Sequence, residues 1–101
     1  MAKWEKICAV ADVPAGTRKV FPLSALDILI FNAGKRFYAS AAECPHEGKS
    51  LEDCDLQGHV LVCKGHGYKF DLSNGKCVTE ADIDLPVFPV EVREDSIWVK
   101  F

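Results

Sequence analysis

Two short pairs of a cysteine and a histidine carry the clearest chemical signal in this sequence. Cys44 and His46 enclose a single residue, and Cys63 and His66 follow after sixteen intervening residues, 47 to 62. A mononuclear zinc site usually takes its paired ligands about two to five residues apart. One intervening residue is an awkward bite for two corners of one tetrahedron, but it suits two ligands of different metal atoms. A sulfide-bridged diiron cluster, with two cysteines on one iron and two histidines on the other, meets that requirement.

The pattern Cys44-x-His46 followed by Cys63-x-x-His66 resembles the Rieske 2Fe-2S signature. The resemblance covers all 101 residues, because a short stand-alone chain with the motif in its middle is typical of Rieske-type ferredoxins. The chain is most similar to the ferredoxin components of bacterial ring-hydroxylating dioxygenases and toluene-type monooxygenases. The resemblance implies one 2Fe-2S cluster, with Cys44 and Cys63 on the inner iron and His46 and His66 on the outer iron.

The same resemblance implies an electron carrier and not an enzyme. Such a ferredoxin is soluble, takes single electrons from an NAD(P)H-dependent flavoprotein reductase, and delivers them to a terminal oxygenase that acts on aromatic hydrocarbons. Rieske proteins of quinol-oxidising complexes have an extra, disulfide-forming cysteine in each loop and a serine after the second His-Gly. This chain has Lys49, Gly65 and Tyr68 at those positions. Fewer hydrogen bonds to sulfur lower the reduction potential, so we expect a low-potential carrier.

Two other functions use the same four ligands. The first is a small subunit of a larger enzyme, such as the Rieske-like subunit of nitrite reductase. Some of those subunits have lost their ligands, whereas this chain keeps all four, which argues against that function. The second is a zinc-stabilised interaction module without redox activity. Two cysteines and two histidines are ordinary zinc ligands, and only the short spacing of Cys44 and His46 argues against zinc.

Length and composition predict one domain, residues 1–101, since hydrophobic residues make up 49 % of the chain. The net charge of −3 and the pI near 5.5 exclude a typical nucleic-acid-binding protein and favour docking on basic patches of partner proteins. No apolar run approaches the ~20 residues needed to cross a bilayer, and no signal peptide follows the amino terminus. We therefore expect a cytoplasmic monomer that binds neither membranes nor nucleic acids.

The chain has five cysteines, an odd number that favours metal ligands in a reducing compartment over a disulfide scaffold. Cys8 lies in an apolar strand, and Cys77 lies between Lys76 and Val78 after the Asn-Gly turn. Both are predicted to be small core residues. Cys54 lies in the acidic stretch 52–55 and is predicted to be a partly exposed thiol. His59 belongs to neither ligand loop and is predicted to be a surface histidine.

The remaining signals are short strands separated by turns, without an amphipathic helix. Strands are predicted over residues 4–10, 18–23, 27–31, 36–41, 59–63, 68–72, 87–93 and 96–100, and turns over 14–16, 32–35, 74–75 and 94–95. Close spacing of strands predicts an all-β sandwich or barrel. The resemblance further implies the Rieske fold, an antiparallel β-sandwich base with a small cluster-binding subdomain near residues 43–70. In that fold the two ligand loops lie side by side at one end.

Overall fold

The computed structural model describes residues 3–23, 27–34, 36–43, 50–52, 54–62, 68–78 and 84–100. Within these ranges the chain forms a series of antiparallel strands: β1 (Trp4–Ala9), β2 (Arg18–Pro22), β3 (Asp27–Asn32), β4 (Phe37–Ala41), β5 (Asp55–Gln57), β6 (Val60–Val62), β7 (Lys69–Asp71), β8 (Val87–Phe88), β9 (Val90–Arg93) and β10 (Ser96–Lys100). A single turn of 3-10 helix, Val10–Asp12, follows β1. In the described ranges, no helix has the length and apolar character that a membrane span requires. The predicted all-β antiparallel fold is confirmed.

The strands form three sheets. Sheet 1 has the order β1-β10-β9, sheet 2 the order β2-β3-β4-β8, and sheet 3 the order β5-β6-β7. Sheet 1 combines the first strand with the last two, and sheet 2 combines β2, β3 and β4 with β8. Together these two sheets form the base. Sheet 3 lies along the chain between β4 and β8, and is called the insertion below.

β3 is the central strand of the molecule because both of its faces are buried. On one face of β3, Ile28 and Ile30 pack with residues of sheet 1 such as Ile97. On the other face, Leu29 and Phe31 pack with residues of sheet 3. Side chains alternate between the two faces of a strand, so a continuous apolar run indicates burial on both sides. Sheet 2 is therefore the middle layer between sheet 1 and sheet 3.

The hairpin that joins β9 and β10 turns at Glu94 and Asp95, as predicted. Arg93 is paired with Ser96, so the loop contains two residues, and these have φ values of +47° and +66°. Two consecutive positive φ values are the mark of a type I′ turn, whose twist matches that of the flanking strands. The backbone N–H of Val10 donates to the Asp95 carbonyl oxygen at 2.8 Å, which fixes this turn to the end of β1.

The prediction of one strand over residues 87–93 is wrong. Pro89 separates β8, which pairs with β4 in sheet 2, from β9, which pairs with β10 in sheet 1. Proline has no N–H to donate and its ring fixes φ, so it interrupts a hydrogen-bonded ladder. The chain uses this interruption to cross from the middle layer to the outer one.

Two further elements were not predicted. β5 has only three residues, and it forms as an edge strand by pairing with β6. The 3-10 turn after β1 has no amphipathic pattern because it contains three residues only. The other predicted strand ends agree with the structure to within one or two residues where the chain is described, and β10 agrees at both ends.

Candidate metal centre

The four predicted ligands, Cys44, His46, Cys63 and His66, lie in segments 44–49 and 63–67, outside the described residues. Their assignment as ligands therefore stays a prediction. The residues that flank both segments are described, and they show how the chain enters and leaves each loop.

The first ligand loop begins and ends at two residues that pair with each other. Glu43 forms an isolated antiparallel bridge with Ser50. The N–H of Leu51 also donates to the Ala42 carbonyl oxygen at 2.8 Å. Antiparallel pairing of described residues thus flanks residues 44–49 on both sides, directly after β4.

The second ligand loop has the same construction. Val62 at the end of β6 is paired with Lys69 at the start of β7, and Leu61 is paired with Phe70. The intervening residues, which include Cys63 and His66, form the connection of this hairpin. Both Cys-x-His and Cys-x-x-His therefore lie between antiparallel partners.

The bases of the two loops rest on one hydrophobic core. Leu51 follows the first loop, Leu61 precedes the second and Phe70 follows it, and all three side chains are completely buried in the same cluster. Leu29 and Phe31 of β3 belong to that cluster too. The residues that flank the two loops therefore belong to one packed layer. Two thiolates and two imidazoles from two such loops fit the mixed ligation of a single cluster.

The three described cysteines, Cys8, Cys54 and Cys77, are free thiols. Cys8 and Cys77 are buried, as predicted, while the prediction of a partly exposed Cys54 is wrong, since only 4 % of it is exposed. The chain turns after Leu51, where the N–H of Cys54 donates to the Leu51 carbonyl oxygen at 3.3 Å, and the thiol enters the core despite its acidic neighbours. Across the described ranges, no three or more histidines, cysteines or carboxylates come together as metal ligands would.

Burial raises the pKa of the Cys8 thiol, and the nearby Asp12 carboxylate raises it further. The protonated thiol is the poorer nucleophile and the poorer metal ligand. Cys8 therefore fits the predicted role of a core residue.

His59 is a surface residue, as predicted, and it lies at the far end of the second hairpin from the ligand loop. Its side chain is 52 % exposed, and its Nε2 lies 3.5 Å from Oδ2 of Asp71. The pKa of Asp71 is lowered, mainly because the Ser73 hydroxyl donates to its carboxylate and with a smaller contribution from His59. This pair holds the β5–β6 turn against the end of β7.

Sequence reasoning missed Arg18, whose guanidinium reaches the segment just after the first ligand loop. Its Nη1 donates to the carbonyl oxygens of Leu51, at 3.2 Å, and of Cys54. A single arginine in a predicted strand gives no signal of such a contact, because its partners lie 33 and 36 residues further along the chain.

Comparison with known proteins agrees with this construction. A family model described as the Rieske [2Fe-2S] domain matches residues 3–89. Ferredoxin CarAc of Metapseudomonas resinovorans is 35 % identical over 98 residues, which cover 95 % of this chain and 92 % of the relative. The ferredoxin component of the alkene monooxygenase system of Xanthobacter autotrophicus is 33 % identical over 94 residues, covering 92 % and 77 %.

A similar solved structure is that of a complex of reduced oxygenase and oxidized ferredoxin in carbazole 1,9a-dioxygenase. The matched chain superposes on this one with a TM-score of 0.82 and 33 % sequence identity. The match covers 95 % of this chain and 91 % of the other. The similarity thus extends over nearly the full length of both chains.

Proposed function

The chain belongs to the Rieske [2Fe-2S] domain family, and from that membership we propose a soluble, low-potential ferredoxin that serves an oxygenase system. It takes single electrons from an NAD(P)H-dependent flavoprotein reductase and passes them to a terminal oxygenase of aromatic hydrocarbons. The observation that carries this proposal is the identity of 35 % to a ferredoxin over 95 % of the chain. The chain has the size of a carrier and is an electron-transfer component, not the enzyme itself.

In the proposed cluster, each iron has its own type of ligand. Cys44 and Cys63 hold the inner iron as thiolates, and His46 and His66 hold the outer iron through neutral ring nitrogens. Support comes from their spacing in the sequence and from the paired residues at the base of each loop. When bound, the cluster supplies a one-electron store, and replacing two thiolates by imidazoles makes its net charge less negative and its reduction potential higher.

We propose a reduction potential near the bottom of the Rieske range of about −150 to +300 mV. This proposal rests on the residues next to the ligands in the sequence. Lys49 and Gly65 provide no bracing disulfide, and Tyr68 stands where other family members place a serine. Tyr68 is half-buried and packs against the core beneath the loops. The serine hydroxyl that bonds a bridging sulfide in those proteins is missing from this position, and fewer hydrogen bonds to sulfur lower the potential.

The proposal also covers the bounds of the domain and its place in the cell. We propose that residues 1–101 form one Rieske domain, with a cluster-binding part near residues 43–70 that grows from the common core. A monomer in the cytoplasm suits a carrier that must meet a reductase and an oxygenase in turn, and the net charge of −3 suits docking on basic patches.

Metal and sulfide analysis of the purified protein tests the proposal. We expect iron and acid-labile sulfide in equal amounts, a red-brown colour, and reduction by NADH through a flavoprotein reductase. A colourless protein that contains zinc and no labile sulfide would contradict it and would support the zinc-stabilised module.

The variant His66→Cys tests the ligand assignment separately. A third thiolate makes the cluster more negative, so we expect a cluster that persists with a reduction potential lower by about 100 mV or more. Cyclic voltammetry and the visible spectrum measure the change, and His59→Cys is the matched control because His59 lies outside both loops. An unchanged potential and spectrum in His66→Cys would remove this residue from the ligand set.

A further inference from the structure

Arg18 connects the base to the segment that leaves the first ligand loop. It lies at the start of β2, paired with Phe31 of β3. The guanidinium carbon lies 5.3 Å from the centroid of the Phe31 ring. Its Nη1 donates to the carbonyl oxygens of Leu51 and Cys54, and the pair of acceptors belongs to two buried residues. One side chain thus contacts the central strand and the insertion together.

The two acceptors mark the place where the first loop returns to the core. Ser50 closes this loop by its bridge to Glu43, and Leu51 is the next residue. Cys54 ends the turn that leads into β5, the edge strand of sheet 3. Hydrogen bonds from a charged donor are about twice as strong as neutral ones. The exit of the loop is therefore fixed to sheet 2 by a cation as well as by packing.

We propose that Arg18 is a positioning residue for the iron-sulfur cluster. It holds the exit of the first loop, and through it the ligands Cys44 and His46, in the geometry that the cluster requires. This inference rests on the proposed function, since it presupposes a cluster between the two loops. Arg18 donates to Leu51 and Cys54, so it acts on the first loop through these two residues.

Arginine suits this position for two reasons that lysine does not share. Its planar guanidinium lies over the Phe31 ring while one of its nitrogens, Nη1, donates to both carbonyl oxygens. Lysine keeps the positive charge but is a point charge on a flexible stem. Arg18→Lys therefore separates the geometry of the contact from its charge, and Arg18→Gln removes the charge while keeping a donor.

Arg93 provides the matched control, because it is a stacked arginine in another part of the molecule. Its guanidinium lies 5.1 Å from the Trp4 ring and 5.0 Å from the Trp98 ring, and its Nε donates to Glu91 at 2.8 Å. All four residues lie in sheet 1, on the opposite side of sheet 2 from the insertion. Arg93→Lys loses stacking of the same kind without touching the segment 50–54.

The experiment compares the cluster-loaded wild-type protein with Arg18→Lys, Arg18→Gln and Arg93→Lys. Three properties are measured well below the unfolding temperature: the EPR line shape of the reduced cluster, its reduction potential, and the rate at which a chelator bleaches the visible absorbance. We expect both Arg18 variants to broaden the EPR lines and to bleach about tenfold faster than the wild type, the order expected for losing a hydrogen bond from a charged donor. We expect the potential to fall further in Arg18→Gln than in Arg18→Lys, because the loss of a positive charge makes reduction harder.

The control decides between positioning and general stabilisation. If Arg18→Lys keeps the EPR line shape, potential and bleaching rate of Arg93→Lys, Arg18 does not position the cluster. Should Arg18→Gln fail to accumulate as folded protein, Arg18→Lys decides the question alone, since it keeps the charge and most of the stem. A wild-type protein without iron and labile sulfide would refute the proposed function instead, so the two failures are distinguishable.

Discussion

Gly58 and Gly75 are two turn glycines with similar backbone conformations and different surroundings. Both have positive φ, +65° and +79°, a region that costs other residues about 1 to 2 kcal/mol. A Cβ at Gly58 would meet open space, whereas a Cβ at Gly75 would collide with the carbonyl oxygen of Leu85. The N–H of Leu85 also donates to the Gly75 carbonyl oxygen at 2.7 Å, so the two backbones are held in contact.

The variant Gly75→Ala should therefore lose more stability than Gly58→Ala. We expect Gly58→Ala to lower the free energy of unfolding by about 1 to 2 kcal/mol, the backbone strain alone. Gly75→Ala should lose about 1 to 3 kcal/mol more, because the added methyl displaces the segment that contains Leu85. Urea unfolding followed by circular dichroism measures both values. Equal losses would show that the segment around Leu85 moves away without cost.

Asp71 gives a prediction about pH. Its pKa is lowered below the ordinary 3.8, first by the Ser73 hydroxyl and to a smaller extent by His59. A carboxylate with a depressed pKa in the folded state stabilises the fold above its unfolded pKa, and this contribution is lost as the pH falls through the folded pKa. Asp71→Asn should thus be less stable than the wild type at pH 7, by about 1 kcal/mol or less because the pair is at the surface.

The measurement is the thermal midpoint of both proteins between pH 7 and pH 3. The difference between them should shrink as the pH falls below about 4, since the unfolded wild-type chain binds a proton at Asp71 there while the folded carboxylate, with its lowered pKa, still resists protonation. Asp27→Asn, an exposed aspartate of β3, controls for the loss of one charge. A difference that stays constant down to pH 3 would mean that the carboxylate charge of Asp71 contributes nothing.

Among the elements, the hairpin of β9 and β10 offers a stabilising change. Glu94 and Asp95 occupy positive φ values that Asn and Gly adopt more readily. The double variant Glu94→Asn/Asp95→Gly should raise the free energy of unfolding by about 1 kcal/mol, since the backbone strain of the turn is relieved. The carbonyl oxygen at position 95 that accepts from Val10 is retained.

The variant Glu94→Gln/Asp95→Ser removes the same two charges and introduces neither Asn nor Gly, so the strain of the turn stays. It should gain less than the first double variant in urea unfolding, and equal gains would assign the effect to charge. No gain in either variant would mean that the type I′ turn carries no strain at these two residues.

Most of the strands could be predicted from the sequence because their signals are local. The apolar run from Ile28 to Phe31 predicts β3. The turn at Glu94 and Asp95 predicts where β9 ends and where β10 begins. The consequence of Pro89 could not be predicted in the same way. Proline indicates an interrupted ladder, but which sheet receives the chain afterwards depends on partners distant in sequence. β5 has no apolar alternation of its own and forms only because β6 offers it an edge.

For the candidate site, the motif predicted the donor types and their spacing, since metal ligands are few and chemically distinctive. The contacts of the residues around the motif could not be predicted in this way. The burial of Cys54 depends on the turn after Leu51, which places a thiol with acidic neighbours in the core. The contact of Arg18 with this turn joins residues more than thirty positions apart. Such contacts follow from the packing of layers, and a single sequence does not encode them as a local pattern.

In the molecule as a whole, three layers share one strand. The core between sheets 2 and 3 contains Leu29 and Leu61, and the core between sheets 1 and 2 contains Ile30 and Ile97. Because β3 contributes alternate residues to both cores, detaching either outer sheet exposes one face of it. We therefore expect the base and the ligand loops to be lost in one cooperative transition, as is usual for chains of this size.

Two optical signals report on the two sides of this arrangement. Trp4 and Trp98 are the two tryptophans of the chain, and both lie in sheet 1. Their emission wavelength reports the unfolding of the base, while the visible absorbance of the cluster reports the ligand loops. In anaerobic urea titrations of the wild type, we expect both signals to change at the same urea concentration.

Leu61→Ala and Ile97→Ala extend this test to each core, since both side chains are fully buried and lie on opposite sides of sheet 2. Each variant should lower the free energy of unfolding by about 2 to 5 kcal/mol and shift both signals together. The decisive comparison is within one variant. If Leu61→Ala bleaches the cluster at a urea concentration where the tryptophan emission is still native, while Ile97→Ala does not, sheet 3 unfolds as a separate unit. Coincident shifts in both variants would show that β3 couples the ligand loops to the far side of the base.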